Sequence, residues 1–250
     1  MINISLQSEY VLSIFGFMVT NTFLTAISVT AILGVLSLIF SVLRDRGESG
    51  NVFLRFWYIA IYEMLLLADN ITGDRALSKK LLPLISTIFI FIFCTNLIAL
   101  LPGFLGSFFL TTPEGVVFSL FRSPNSDLTT TLALALITVT AIQYFSIKTL
   151  GFGTYLKKFF NFSGFLPLVL GLFEGLSEAL RVLSFSFRLF GNVFAGEVLL
   201  LVVAFLVPFI LPVPFMTLEV FVGFIQAYIF CILTLTYIRI SVTDGQSGFG

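Results

Sequence analysis

Between Pro167 and Pro208 the chain runs without a proline, and almost every residue from Phe165 to Val207 is apolar or small. Nothing in that run stops a helix of about 40 residues, which at ~1.5 Å per residue is ~60 Å long. The hydrocarbon core of a bilayer is only ~30 Å thick, so one upright span cannot hold it. The run either breaks into two spans or lies steeply tilted. In both cases Arg188 sits some 20 residues from each end. An arginine near a helix end snorkels to the headgroups; one ~30 Å of helix away does not reach them.

Placing arginine at the centre of a membrane helix costs ~2.5–3.5 kcal/mol on insertion scales, so the charge must face a partner or water. Glu174, Glu178, Arg181, Ser184, Arg188 and Asn192 follow one another at steps of three or four and make a stripe down one side. Gly171, Gly175, Gly191, Ala195 and Gly196 would let another helix come close. Glu197 lies nine residues past Arg188 and points to the opposite side at ~3.6 residues per turn.

Composition independently excludes a soluble globular domain. Hydrophobic residues are 58% and charged residues 10% of the chain, against roughly 45–50% and 25% in soluble domains. Net charge is zero, so no basic patch speaks for nucleic acid. There is no histidine, which removes imidazole metal sites and imidazole proton relays. Any proton path must use carboxylates, hydroxyls, amides and water. Cys94 and Cys231 each stand alone in an apolar run and read as packing residues.

The pattern predicts an all-α polytopic membrane protein of one domain, with about five membrane helices and one interfacial amphipathic helix. Residues 1–20 are an outer leader without the positive charge of a secretory signal. The first span covers 21–43 and ends in Arg44-Asp45-Arg46-Gly47-Glu48. Over 53–70, Arg55, Glu63 and Asp69 recur at about two-turn spacing, which suits a helix in the interface better than a short span. Further spans cover 81–101 and 128–147, separated by a loop rich in Gly, Pro and Ser from Pro102 to Asp127. The long helix of 165–207 and a final helix of 215–240 form a steeply tilted hairpin, broken apart by Pro208, Pro212 and Pro214. Lys and Arg crowd one set of loops and leave Arg122 alone on the other. By the positive-inside rule the N-terminus is outside and the C-terminus cytoplasmic.

Arg188-Leu189-Phe190-Gly191-Asn192-Val193-Phe194-Ala195-Gly196-Glu197 resembles the signature of subunit a of F-type ATP synthases, the stationary proton-channel partner of a rotating c-ring. Gln226-Ala227-Tyr228-Ile229-Phe230 resembles that family's second motif, and Ser123 to Ala133 its loop and the start of a membrane helix. The likeness covers most of the chain after about Phe53. Gly191 and Glu197 resemble the bacterial type, which implies the bacterial plasma membrane. The resemblance also favours an in-plane helix at 53–70.

What the resemblance implies is a non-enzymatic, cofactor-free subunit that passes protons, or Na⁺, between two offset half-channels and the ring carboxylates. Its partners would be the c-ring, the b subunits of the peripheral stalk and the lipid bilayer. Arg188 becomes the fixed charge that prevents a proton short-circuit. Guanidinium groups stay protonated in proteins, so it cannot carry the proton itself. Asn192 and Gln226 match channel-lining positions. Glu197 and Glu219 match a functional pair often made of one acid and one histidine, whereas here both are glutamates. Two such acids in low dielectric cannot both ionise cheaply. Glu174 and Glu178 fall near the cytoplasmic exit. Ala99 stands where the family often has an acid, so no proton role transfers to it. Two readings of Arg181 stay open, a local ion pair with Glu178 and a supporting role in the cytoplasmic half-channel. Without the resemblance, a secondary transporter using Arg188 to bind an anionic substrate is the competing function. Such transporters commonly show inverted repeats, and none is visible here.

Overall fold

The structure is a computed structural model that describes residues 10–14, 17–46, 51–100, 109–111, 117–119, 122–159, 165–207 and 210–247. Seven α-helices carry it among those residues: α1 (Asn21–Asp45), α2 (Val52–Thr72), α3 (Arg75–Leu100), α4 (Leu128–Leu150), α5 (Phe152–Phe159), α6 (Phe165–Leu206) and α7 (Pro212–Ser247). Two short antiparallel ladders stand outside the bundle, β1 (Tyr10–Ile14) with β2 (Phe17–Thr20) and β3 (Phe109–Thr111) with β4 (Val117–Ser119). A single 3₁₀ turn, Pro124–Ser126, precedes α4. Much of the outer leader, 1–9, lies outside the described residues.

Helices α1, α3, α4, α6 and α7 are each long and apolar enough to cross a membrane. The protein is an all-α polytopic membrane protein, and α2 is not one of the five. Local chemistry sets the ends. Thr20 caps α1 by accepting from Phe23 N at 3.3 Å, and Asp127 caps α4 by accepting from Thr129 N at 2.9 Å. Gly73, at φ 70°, closes α2 in the left-handed region that disfavours a side chain. Pro212 and Pro214 fall in the first turn of α7, where a missing N–H leaves no bond unmade.

α6 is unbroken over 42 residues, or ~63 Å. α6 and α7 run antiparallel: Phe185 meets Phe230 with ring centroids 4.6 Å apart, and Arg181 sits over the Tyr237 ring. α3, α4, α6 and α7 share one buried core that includes Ile85, Ile92, Ile142, Phe185, Leu189, Phe230, Leu235 and Ile238. α1 is peripheral. It exposes Ile32, Val35, Leu38 and Val42, as a helix that is apolar all round does in lipid. Polar bonds pin the two ends of the bundle. At one, Thr22 Oγ1 donates to Asp127 Oδ2 at 3.2 Å; at the other, Arg239 Nη1 donates to Ile71 O at 2.6 Å and the Ser146 and Ser241 hydroxyls lie 2.5 Å apart. The Ser146 end carries the lysine- and arginine-rich segments.

α5 was not expected from the sequence. Eight residues are too few for periodicity to stand out, but its packing against α6 makes it part of the site described next.

Candidate functional site

Asn192 on α6, Glu219 and Gln226 on α7, and Asn96 on α3 line one cavity of about 20 Å³, together with Val193, Val222 and Gly223. That is room for about one water molecule, and the lining offers it polar partners. Asn192 and Glu219 also line a groove of about 200 Å³ that opens beside Gly196 and Phe215. Glu219 thus lines both spaces. Its Oε2 is buried without a hydrogen-bond partner among the described residues. Gly196 makes this possible, since a Cβ there would lie 2.2 Å from Glu219 Oε1. Only a bare backbone lets the carboxylate rest against α6.

Glu197 is held differently. Arg122 Nε donates to its Oε2 at 3.2 Å, with 17% and 23% of the two side chains exposed. The Ser126 hydroxyl and the Ser123 backbone also bond to this carboxylate. Glu197 and Glu219 are close enough for their charges to interact. The 122–127 segment that delivers Arg122 is fixed at several points. Arg122 N donates to Thr25 Oγ1 at 3.2 Å, and Asn125 Nδ2 donates to Thr95 Oγ1 and Asn96 Oδ1, both at 2.7 Å. Asn96 Nδ2 in turn donates to Gly223 O at 3.3 Å. Polar groups therefore continue from Arg122 and Glu197 through Ser126, Asn125 and Asn96 to the cavity at Glu219, Gln226 and Asn192.

Arg188 lies further along α6. Its Nη2 donates to Ser184 Oγ at a long 3.4 Å, and it makes no ion pair among the described residues. Beside it an uncovered face carries Leu176, Leu180, Leu183 and Phe187, all exposed, and Gly191, whose Cβ would meet nothing within 4 Å. The guanidinium borders the part of α6 that the other described residues leave open.

At the Ser146 end the stripe turns inward. Arg181 Nη1 donates to both oxygens of Glu178 at 2.8 Å, and its guanidinium stacks 4.1 Å from the Tyr237 ring centroid. Gln143 Nε2 on α4 donates to Glu178 Oε2 at 2.6 Å, and Tyr155 OH on α5 donates to Gln143 Oε1 at 2.5 Å. Burial, with the Glu178 carboxylate beside it, raises the Tyr155 phenol above its ordinary pKa. Of the two readings of Arg181, the geometry has the ion pair. Glu174 is half-buried one turn before Glu178.

Two other features carry no site. An apolar groove of about 330 Å³ between α1, α2 and α3 is lined by Leu33, Leu36, Phe40, Trp57, Ile61 and Ile90 and has no titratable side chain in its lining. Cys94 and Cys231 are free thiols, and no cluster of three or more His, Cys, Asp or Glu forms a metal site among the described residues.

The sequence model of the family described as ATP synthase A chain matches residues 10–239. The chain belongs to this family. ATP synthase subunit a of Moorella thermoacetica is 35% identical over 189 residues, covering 75% of this chain and 72% of that protein. The Gloeobacter violaceus subunit a is 37% identical over 184 residues, covering 73% and 69%, and one from Campylobacter jejuni is 34% identical over 175 residues, covering 70% of each. The bacterial ATP synthase subunit a that Arg188–Glu197 resembles is thus matched along most of the chain.

Several residues of this site are not among those the sequence singles out. Asn96 is one of them. Arg122 served only as a topology marker, and Asn125 sat unremarked inside a quoted motif. Gln143 and Tyr155 carried no signal, because one amide on a spanning helix and one tyrosine after it are ordinary.

Proposed function

We propose that this chain is the proton-conducting stator subunit of a rotary F-type ATP synthase. In it Arg188 faces the carboxylates of a c-ring, and two offset half-channels load and unload them. The observation that carries this reading is Arg188, a membrane-embedded cation with no carboxylate partner among the described residues, at the border of an uncovered helix face. A cation so placed must face water or a partner from another chain.

The roles follow from chemistry. Protons reach the membrane interior by the Glu197 end, where Glu219, Asn192 and Gln226 line a water-sized cavity. Amides such as Asn96, Asn192 and Gln226 hold water without titrating. A protonated carboxylic acid brought within ~4–6 Å of Arg188 loses its proton, because the fixed positive charge favours the carboxylate. Moving on into lipid, it must be neutral again, so a proton can pass only with rotation. Glu174 serves the exit at the Ser146 end, and Arg181 supports that end as half of an ion pair. The chain catalyses no bond making and holds no cofactor; its partners are the c-ring, the b subunits of the peripheral stalk and lipid. The lysine- and arginine-rich end is cytoplasmic, the N-terminus is outside, and α2 lies in the interface of a bacterial plasma membrane.

ATP-driven acidification of inverted membrane vesicles tests this. Arg188→Ala is expected to abolish pumping while the complex still assembles, with Arg181→Ala keeping much of it. Normal pumping by Arg188→Ala would make the central charge structural and return the anion-transporter reading.

A further inference from the structure

α6 carries two cations, Arg181 and Arg188, seven residues apart on one side of the helix. Two positive charges ~10 Å apart along a helix would act together on any carboxylate passing between them. The structure treats them unequally. Arg181 Nη1 donates to both oxygens of Glu178 and the guanidinium is covered by Tyr237, with 14% and 16% of the two paired side chains exposed. Arg188 has only Ser184 among the described residues. Glu178 is itself fixed from a second helix by Gln143, and Gln143 from a third by Tyr155. A surface ion pair would need no such support, and three helices converge on this one.

We propose that Glu178 is a positioning residue whose carboxylate cancels the charge of Arg181, so that Arg188 is the single uncompensated cation on α6. The inference rests on the stator reading. Groups facing the pair are Glu174 one turn away on α6, Tyr155 from α5, Gln143 from α4 and Tyr237 from α7. Of these only Glu174 could substitute for the missing negative charge.

The chemistry of the pair is asymmetric. If Arg181 is removed, Arg188 remains the one cation on α6. If Glu178 is neutralised, the Arg181 guanidinium cannot lose its proton. It remains as a second fixed cation that holds a passing carboxylate and slows its release. At an effective dielectric of ~20, a unit charge ~10 Å away shifts an equilibrium by about tenfold. Gln at position 178 keeps the shape, and its one amide oxygen can still accept from Arg181 and Gln143, so Glu178→Gln removes the charge together with one of the two acceptor oxygens.

The experiment compares ATP-driven acidification by the intact complex in inverted vesicles for wild type, Glu178→Gln, Glu178→Asp, Glu178→Gln/Arg181→Gln and Arg188→Ala. Expected is a loss of about tenfold in Glu178→Gln, with Glu178→Asp and the charge-balanced double variant both recovering to within a few-fold of wild type. A double variant as slow as Glu178→Gln, or a Glu178→Gln variant that pumps like wild type, overturns the inference. If Glu178→Gln fails to assemble, assembly is read instead: recovery in the double variant supports charge cancellation, and failure of both overturns it. Arg188→Ala keeps the two ideas apart, because normal pumping there sinks the stator reading whatever the Glu178 series does.

Discussion

Glu197 accepts from Arg122 at 3.2 Å, while Glu219 keeps one buried oxygen without a partner among the described residues, so two glutamates one helix apart sit in unlike surroundings. The ion pair fixes one carboxylate; the other is left beside a water-sized cavity and is the better placed to exchange protons. Arg122→Gln is therefore expected to slow potential-driven proton uptake into vesicles, and to do so through Glu197. The double variant Arg122→Gln/Glu197→Gln should be little worse than the worse single one, giving a coupling of about 1–2 kcal/mol. Fully additive losses would mean that the two residues act separately. Sequence alone marked Glu197 and Glu219 as a pair, because both lie on apolar helices joined by a proline-rich break. It could not mark Arg122, whose importance depends on where the 122–127 segment folds back.

At the level of helices, two glycines set how closely α7 approaches its neighbours. At Gly196 the obstacle to a methyl group is the flexible end of Glu219, at 2.2 Å from the ideal Cβ. At Gly223 it is Asn96 Cβ at 3.0 Å, close to the α3 backbone and unable to swing away. Gly196→Ala should then assemble normally but pump several-fold more slowly, since Glu219 is the group displaced. Gly223→Ala should instead separate α3 from α7 and destabilise the complex by about 1–3 kcal/mol, the usual range for overpacking, seen as a lower melting temperature. A Gly196→Ala variant with normal pumping would argue against Glu219 as a relay. The helices themselves were legible from apolar runs and proline positions. α5 was not, because its one distinguishing feature is the Tyr155–Gln143 contact made after folding.

Across the whole molecule, α1, α3, α4, α6 and α7 are each long and apolar enough to cross a membrane, and five crossings would put Asn21 and Ser247 on opposite faces. The end pinned by Ser146, Ser241, Ile71 and Arg239 is also where α1 finishes and α3 begins. Single cysteines at Arg46→Cys and Lys148→Cys, in a background lacking Cys94 and Cys231, are expected to react with a membrane-impermeant thiol reagent from the same face. A crossing by α2 would put those positions on opposite faces. Because α6 is unbroken over 42 residues, its ~63 Å exceeds a ~30 Å core about twofold, more than one upright span can hold.

The sequence by itself determined the class of molecule and the position of its central charge. Apolar runs, the absence of histidine and an arginine some 20 residues from either end of a proline-free helix are properties of linear order, and the bilayer reads them directly. Only the tertiary structure decided how the other charges are spent. Arg181 and Arg188 stand on the same stripe, and the sequence leaves two readings of Arg181 open. Arg181 pairs with Glu178 one turn away on α6, and Gln143 of α4 and Tyr237 of α7 hold that pair, while Arg188 meets no carboxylate among the described residues. Periodicity fixes the side of a helix on which a residue lies and so offers Glu178 as a partner, whereas the side chains that hold the pair in place come from distant parts of the chain.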